Sequence, residues 1–177
     1  LVSTEAGRRL YESLGFRAIG GNCAHMGAAV DPGLSGVIEL AGRVDQPALA
    51  ALDAAALGVA RDRLLDALAA SGEIAALRQD GGIVGFAICR LFGSGHVVGP
   101  VVAHDDDAAR RLIAFWLKHH RGKPLRVDVP TEHASLGAWL DELSLKRGGE
   151  SPIMMRGDAP VPAGPARRFA LVSQAMG

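Results

Sequence analysis

The chain has 177 residues, of which 49% are hydrophobic and 21% charged, with Lys+Arg and Asp+Glu balanced at 19 each. That length fits one domain, or one domain plus a fragment, and buries roughly 70% of the unfolded surface without disulfide or metal staples. The balanced charge and the lack of any basic run longer than two residues argue against nucleic-acid binding, and no apolar stretch is long enough to span a bilayer.

Cys23 and Cys89 lie far apart with no CxxC spacing, which reads as two reduced thiols of a cytoplasmic protein. The abundance of Ala, Gly and Arg points to a GC-rich bacterial source. No His/Cys/Asp cluster has zinc spacing, so no metal is expected. There is no GxSxG or Walker motif either.

Thr4 to Leu14 is predicted to form a short helix with Gly15 at its C-terminal cap, followed by strand segments at Phe16–Ile19 and Asn22–Ala29. Asp31-Pro32-Gly33 and Ser35-Gly36 form a turn-rich break and a candidate boundary. Beyond it come a strand at Val37–Leu40, a helix capped by Asp45 with Pro47 in its first turn, and a second helix over Ala60–Ala70. Glu73–Arg78, Ile83–Leu91 and His96–Ala103 read as an antiparallel meander, with Asp80-Gly81-Gly82 as its first turn. Asp105–His120 is the longest helix. Leu125–Val129 alternates, with Arg126 and Asp128 on its polar side, and Pro130 ends it. A helix over His133–Leu143, short strands at Leu145–Arg147 and Pro152–Arg156, and an ordered tail from Arg167 to Ala175 complete the chain. A meander followed by a crossover helix into a further strand gives an α/β (α+β) fold, a mixed central sheet with helices on both faces.

The run Gly7-Arg-Arg-Leu-Tyr11-Glu-Ser-Leu-Gly15-Phe16-Arg17 resembles the penultimate helix and following strand of a GNAT acetyltransferase domain. A weaker copy is Trp139-Leu140-Asp141-Glu142-Leu143-Ser144-Leu145-Lys146, and the element order from Val37 onward is similar to a whole domain of that family. Two copies of one helix–strand unit imply tandem domains. Residues 1–30 are then the helix–strand remnant of a first domain, and residues 37–177 a complete GNAT-like domain. Roughly 100–150 further residues of the same pattern are expected upstream.

The resemblance implies transfer of an acetyl group from acetyl-CoA to an amine by direct attack, the acceptor being a small molecule or a protein. It places the pyrophosphate loop at His104–Ala109, where His104, Ala108 and Ala109 stand at cofactor-binding positions. Asp107 replaces a glycine there. Three consecutive carboxylates, Asp105–Asp107, would face a dianion; two unit charges 4 Å apart cost about 1 kcal/mol in water and about 4 kcal/mol at an effective dielectric near 20. Capping of the helix is the simpler role for them.

Gly99-Pro100 suggests a bulge in the fourth strand of the complete domain, beyond which the central strands splay, with Val101, Val102 and Ala103 lining the wedge. Tyr11 stands where the family carries its general acid, and Leu140 occupies that place in the complete domain. Asp128 is the first choice for general base, with Glu39, His96 and His133 as further candidates. The alternative is a non-catalytic GNAT-like module that shapes a substrate site, dimerises or senses a ligand. The apolar Leu10, Leu14 and Phe16 must be buried somewhere, which makes a homodimer through residues 1–30 a second option.

Overall fold

A computed structural model describes residues 1–34 and 36–174. Ser35, in the predicted turn, and Ala175, at the end of the predicted tail, lie outside the described residues. Helix α1 (Glu5–Ser13) begins where the Thr4 hydroxyl accepts the Gly7 N–H, and ends ahead of Gly15, which supplies a left-handed φ of 83°. The two strand segments expected next are one strand, β1 (Arg17–Ala28).

After β2 (Ile38–Leu40) come α2 (Gln46–Leu57) and α3 (Asp62–Ser71), then the meander β3 (Gly72–Gln79), β4 (Gly82–Phe92) and β5 (Gly95–Ala103). Asp45 does not cap α2 through its side chain; its carboxylate accepts the Gly42 N–H and pairs with Arg78 at 2.6 Å. The remaining elements are α4 (Asp106–His119), β6 (Pro124–Pro130), α5 (Ala134–Glu142), β7 (Lys146–Met155) and β8 (Arg167–Ala170). The two short strands expected around residue 150 are thus the single strand β7.

The sheet runs β2-β3-β4-β5-β6-β1-β7, with β8 paired to β5. β1 is inserted between β6 and β7, antiparallel to both. The turn-rich break at residues 31–36 therefore does not separate two sheets: the N-terminal strand and residues 37–174 share one. The physical reason is that β1 is an apolar strand with two open edges, and both are satisfied by neighbours in this sheet.

Two cores flank the sheet. Leu112, Ile113, Trp116, Leu136 and Leu140, from α4 and α5, pack on one face with Val98, Val101 and Val127. Leu49, Leu65 and Leu68, from α2 and α3, pack on the other with Phe86, Ile88 and Val102. No helix among the described residues is long and apolar enough to cross a membrane.

Candidate functional site

The sheet opens between β5 and β6. These parallel strands pair only over His96–Val98 and Leu125–Val127. On the β4 side, Cys89 faces Val98 while Ala87 faces Val101, so β5 carries one extra residue at Gly99-Pro100. This is the expected bulge. It bends β5 away from β6 and creates the wedge inferred from the sequence.

The wedge is filled. β8 lies antiparallel along β5, with Val101 opposite Ala170, Val102 opposite Arg168 and Ala103 opposite Arg167. The chain then crosses to β6, where the Leu171 N–H donates to the Asp128 carbonyl at 2.8 Å. Arg90 donates to the Val172 carbonyl at 2.6 Å, and His133 Nε2 lies 3.0 Å from the Arg168 carbonyl. Phe169, Ala170, Leu171 and Val172 are all buried. A Cβ on Gly99 would run into the Leu171 carbonyl oxygen, so the bulge glycine and the tail are in direct contact. The Ala163 N–H, donating to Ala55 O at 2.7 Å, fastens the preceding loop across α2 and delivers β8 to this position. Val101, Val102 and Ala103, expected to line an open cleft, are buried against the chain's own residues 167–172 instead. Strands that part leave N–H and C=O groups without partners, and the short strand β8 supplies them.

Asp128 lies at the centre of this seal. Its carboxylate is buried, receives Arg126 Nε at 2.9 Å and Nη2 at 2.8 Å, and accepts the Gln174 N–H at 3.1 Å. The polar side of β6, expected to open onto a substrate, carries a structural ion pair.

The start of α4 is committed in the same way. Asp105 caps the helix, its side chain accepting the Ala108 N–H at 2.8 Å while its carbonyl accepts the Ala109 N–H. Asp106 and Asp107 pair with Arg110 and Arg111, each at 2.7 Å. Ala108 and Ala109 are buried, and the His104 N–H donates to Val84 O. A hollow of about 380 Å³ beside His104, Asp105 and Ala108 also reaches Arg78 and Arg111. Both cations already have carboxylate partners, Asp45 and Asp107. With the wedge filled, the Ala108 N–H taken by the Asp105 cap and three carboxylates at the start of α4, the β5/β6 cleft and its loop do not fit an acetyl-CoA arm and pyrophosphate.

The remaining candidates are dispersed. Tyr11 is half-buried on α1, edge-on to Phe16 with ring centres 5.6 Å apart. α1 packs along β7, and β1 and β7 lie between it and β6, so Tyr11 and Asp128 are not brought together. Leu140 is fully buried in the core, as a leucine in the place of an acid would be. Glu39 is exposed and pairs with Arg78 at 3.3 Å. The His96 ring stacks on His120 at 3.9 Å; burial and then Lys123 hold His96 below the ordinary imidazole value. His133 packs on Phe169 and holds the tail.

Sequence reasoning missed the tail as an occupant of the wedge. The signal was present in the apolar run Phe169-Ala170-Leu171-Val172 behind a proline-rich loop. It also missed a cavity of about 150 Å³ under α5, lined by Cys23, His25, His133, Asp141 and Arg147 among others.

Comparison with known proteins agrees with this architecture. The profile of the acetyltransferase (GNAT) domain matches residues 49–169. The uncharacterized N-acetyltransferase YitH of Bacillus subtilis (strain 168) is 33% identical over 183 aligned residues, covering 100% of this chain and 64% of YitH. A candidate acetyltransferase from Pyrococcus horikoshii superposes with a TM-score of 0.77 at 15% identity, over 100% of this chain and 59% of that one. A GCN5-related N-acetyltransferase from Sphaerobacter thermophilus gives a TM-score of 0.58 at 15% identity, over 92% of this chain and 60% of that one. The chain thus spans less than two thirds of the length of each of these relatives. With its sheet order, its bulged and splayed central strands and a profile match across most of its length, the chain belongs to the GNAT acetyltransferase domain family.

Proposed function

We propose that this chain is the distal part of an acetyl-CoA-dependent N-acetyltransferase built from tandem domains, in which residues 37–174 form a non-catalytic scaffold. Acetyl transfer to an amine, on a small molecule or a protein, takes place at a centre to which Tyr11 belongs. The observation that carries this reading is the filling of the β5/β6 cleft by residues 167–172. In this reading Asp128 anchors the tail through Arg126 and Gln174 rather than taking a proton from the amine. Val101, Val102 and Ala103 hold β8, while His104, Ala108 and Ala109 serve the start of α4.

The uncovered apolar side of α1 supports a folded neighbour on that side. Leu10 is 62% and Leu14 53% exposed, and no residue of α1 is buried. In this reading Tyr11, on the same helix, protonates the leaving thiolate at that boundary. Direct attack needs the amine deprotonated and the thiolate protonated, and each positioned proton transfer contributes about 10²–10⁴-fold.

Acetyl-CoA turnover by the full-length protein with a panel of amines tests the reading. Tyr11→Phe is expected to lower kcat by at least about tenfold with an unchanged melting curve, while Asp128→Asn lowers stability. Unchanged turnover in Tyr11→Phe removes the assigned acid. Micromolar acetyl-CoA binding to the 177-residue chain, with protection of residues 101–109, overturns the scaffold assignment. Sedimentation of the chain and of a Leu10→Glu/Leu14→Glu variant, which leaves β1 in the sheet, separates a neighbouring domain from a homodimer through α1.

A further inference from the structure

The cavity under α5 gathers groups that neither the fold nor the proposed acetyl transfer uses. Cys23 and His25 are two residues apart on β1, so their side chains leave the same face of the sheet. The Arg147 Nε–H, from β7, donates to Cys23 Sγ at 3.1 Å. His25 Nδ1 lies 3.1 Å from Asp141 Oδ1, on α5, and 3.4 Å from the Leu145 carbonyl. All four side chains, together with His133, line one space of about 150 Å³. Its mouth is charged and open: the side chains of Arg147 and Asp141 are 52% and 44% exposed, and Glu150 stands 3.5 Å from Arg147.

The second cysteine provides an internal contrast. Cys89 lies in the core between β3 and β5, where burial first and the Glu73 carboxylate second push its thiol up to about 12. It has no cation hydrogen-bonded to its sulfur among the described residues. Cys23 is buried too, but it faces a cavity, and its sulfur has a guanidinium as partner. Arg147 is held above its ordinary guanidinium value, first by its hydrogen bond to Cys23. Nucleophilic thiols are found in such electropositive, reachable surroundings, whereas cysteines enclosed in apolar cores are inert.

We propose that Cys23 is a thiol modification site that takes small hydroperoxides. The sulfur, as thiolate beside Arg147, attacks one peroxide oxygen. An S–O bond forms and the O–O bond breaks. The leaving hydroxide or alkoxide takes up the proton that the thiol released, in a cavity also lined by the His25 ring, which Asp141 holds through Nδ1. Cys23–SH and ROOH become Cys23–SOH and ROH; the sulfur loses two electrons and the peroxide gains them. The sulfenate oxygen then lies within reach of the Arg147 guanidinium, which stabilises the product. A space of about 150 Å³ admits a peroxide with a small alkyl group and excludes anything the size of a coenzyme.

The test uses the 177-residue chain, hydrogen peroxide and tert-butyl hydroperoxide, a dimedone trap and mass spectrometry of the two cysteine peptides. Cys23 is expected to be labelled at least about tenfold faster than Cys89, and Cys23→Ser to abolish the label. Arg147→Met is expected to slow labelling of Cys23 by about tenfold, with Arg147→Lys restoring part of the rate. Melting curves establish that each variant is folded, and Asp141→Asn provides a second, milder perturbation that slows labelling without removing the cation. Failure of Cys23 to label in the folded chain, equal labelling of both cysteines, or an unchanged rate in Arg147→Met overturns the proposal.

Discussion

The β5/β6 cleft and the cavity under α5 lie on either side of a single strand, β6, yet one is sealed and the other stands open. In the cleft, the gap interrupts the backbone ladder itself. β5 bulges at Gly99-Pro100, and its residues 101–103 lose β6 as a partner. Unpaired backbone groups cannot remain buried, so the gap has to be closed by something strand-like, and the chain closes it with β8. In the cavity, β1 is paired to β6 on one side and β7 on the other, so the backbone is already satisfied. What remains is a packing gap between a helix and a sheet, walled by polar side chains that tolerate contact with water. An unfilled ladder compels occupation, whereas an unfilled polar side-chain gap does not.

The largest effect that separates these regions is expected from Phe169→Ala. Its ring is buried against His133 in the tail segment, and its loss should destabilise the chain by about 3–5 kcal/mol. Chemical denaturation measures this, and a change below about 1 kcal/mol would mean that the tail is not an integral part of the core.

A matched glycine pair sharpens the contrast. Gly99→Ala drives a methyl group into the Leu171 backbone carbonyl and should cost about 1–3 kcal/mol, with faster amide exchange at Leu171. Gly137→Ala puts its methyl 3.3 Å from the His25 ring, at the edge of the open cavity, and its gain in helix propensity of up to about 1 kcal/mol offsets the crowding. Equal costs for the two substitutions would erase the distinction between the sealed cleft and the open cavity.

Asp105→Ala should be smaller, about 1 kcal/mol from loss of the α4 cap. It frees the Ala108 N–H but leaves β8 in place, so acetyl-CoA binding is not expected to appear. Binding gained in this variant alone would shift the block from the tail to the acidic loop.

The weakest effect concerns the stacked His96–His120 pair at the rim. Burial is the first cause that holds both rings below the usual 6.5; Lys123 adds to this for both, His96 and His119 add to it for His120, and Glu73 opposes it there. A ring whose folded value is depressed is neutral in the fold, while the unfolded chain takes the proton near 6.5. The stabilisation is therefore complete above that pH and declines as pH falls through and below it. The melting temperature should drop between pH 7 and pH 5, and less so in the His96→Asn/His120→Asn double variant.

Much of the fold was legible in the sequence because its determinants are local. The Leu112, Phe115 and Trp116 spacing reports α4, the Asp80-Gly81 turn reports the β3–β4 hairpin, and Gly99-Pro100 reports the bulge. The sequence of α1 and β1 also carries the family resemblance, and Leu140 in place of an acid was readable directly. Local pattern did not reveal which strand fills which edge. β1 reads as the end of one unit, but it finds its two partners in β6 and β7, more than 90 residues away. Asp128 reads as a polar face on a strand, yet Arg126 and the Gln174 amide, brought back by a loop fastened at Ala55, turn it into an anchor.

The sequence by itself determined the helices, the meander, the bulge and the acidic start of α4, since each follows from the backbone preferences and side-chain periodicity of a few neighbouring residues. Only the tertiary structure decided that the wedge is closed and that Cys23, His25, Asp141 and Arg147 converge. Both outcomes depend on pairings between distant segments, which are chosen by where unpaired backbone groups and apolar surface remain once the local elements have formed.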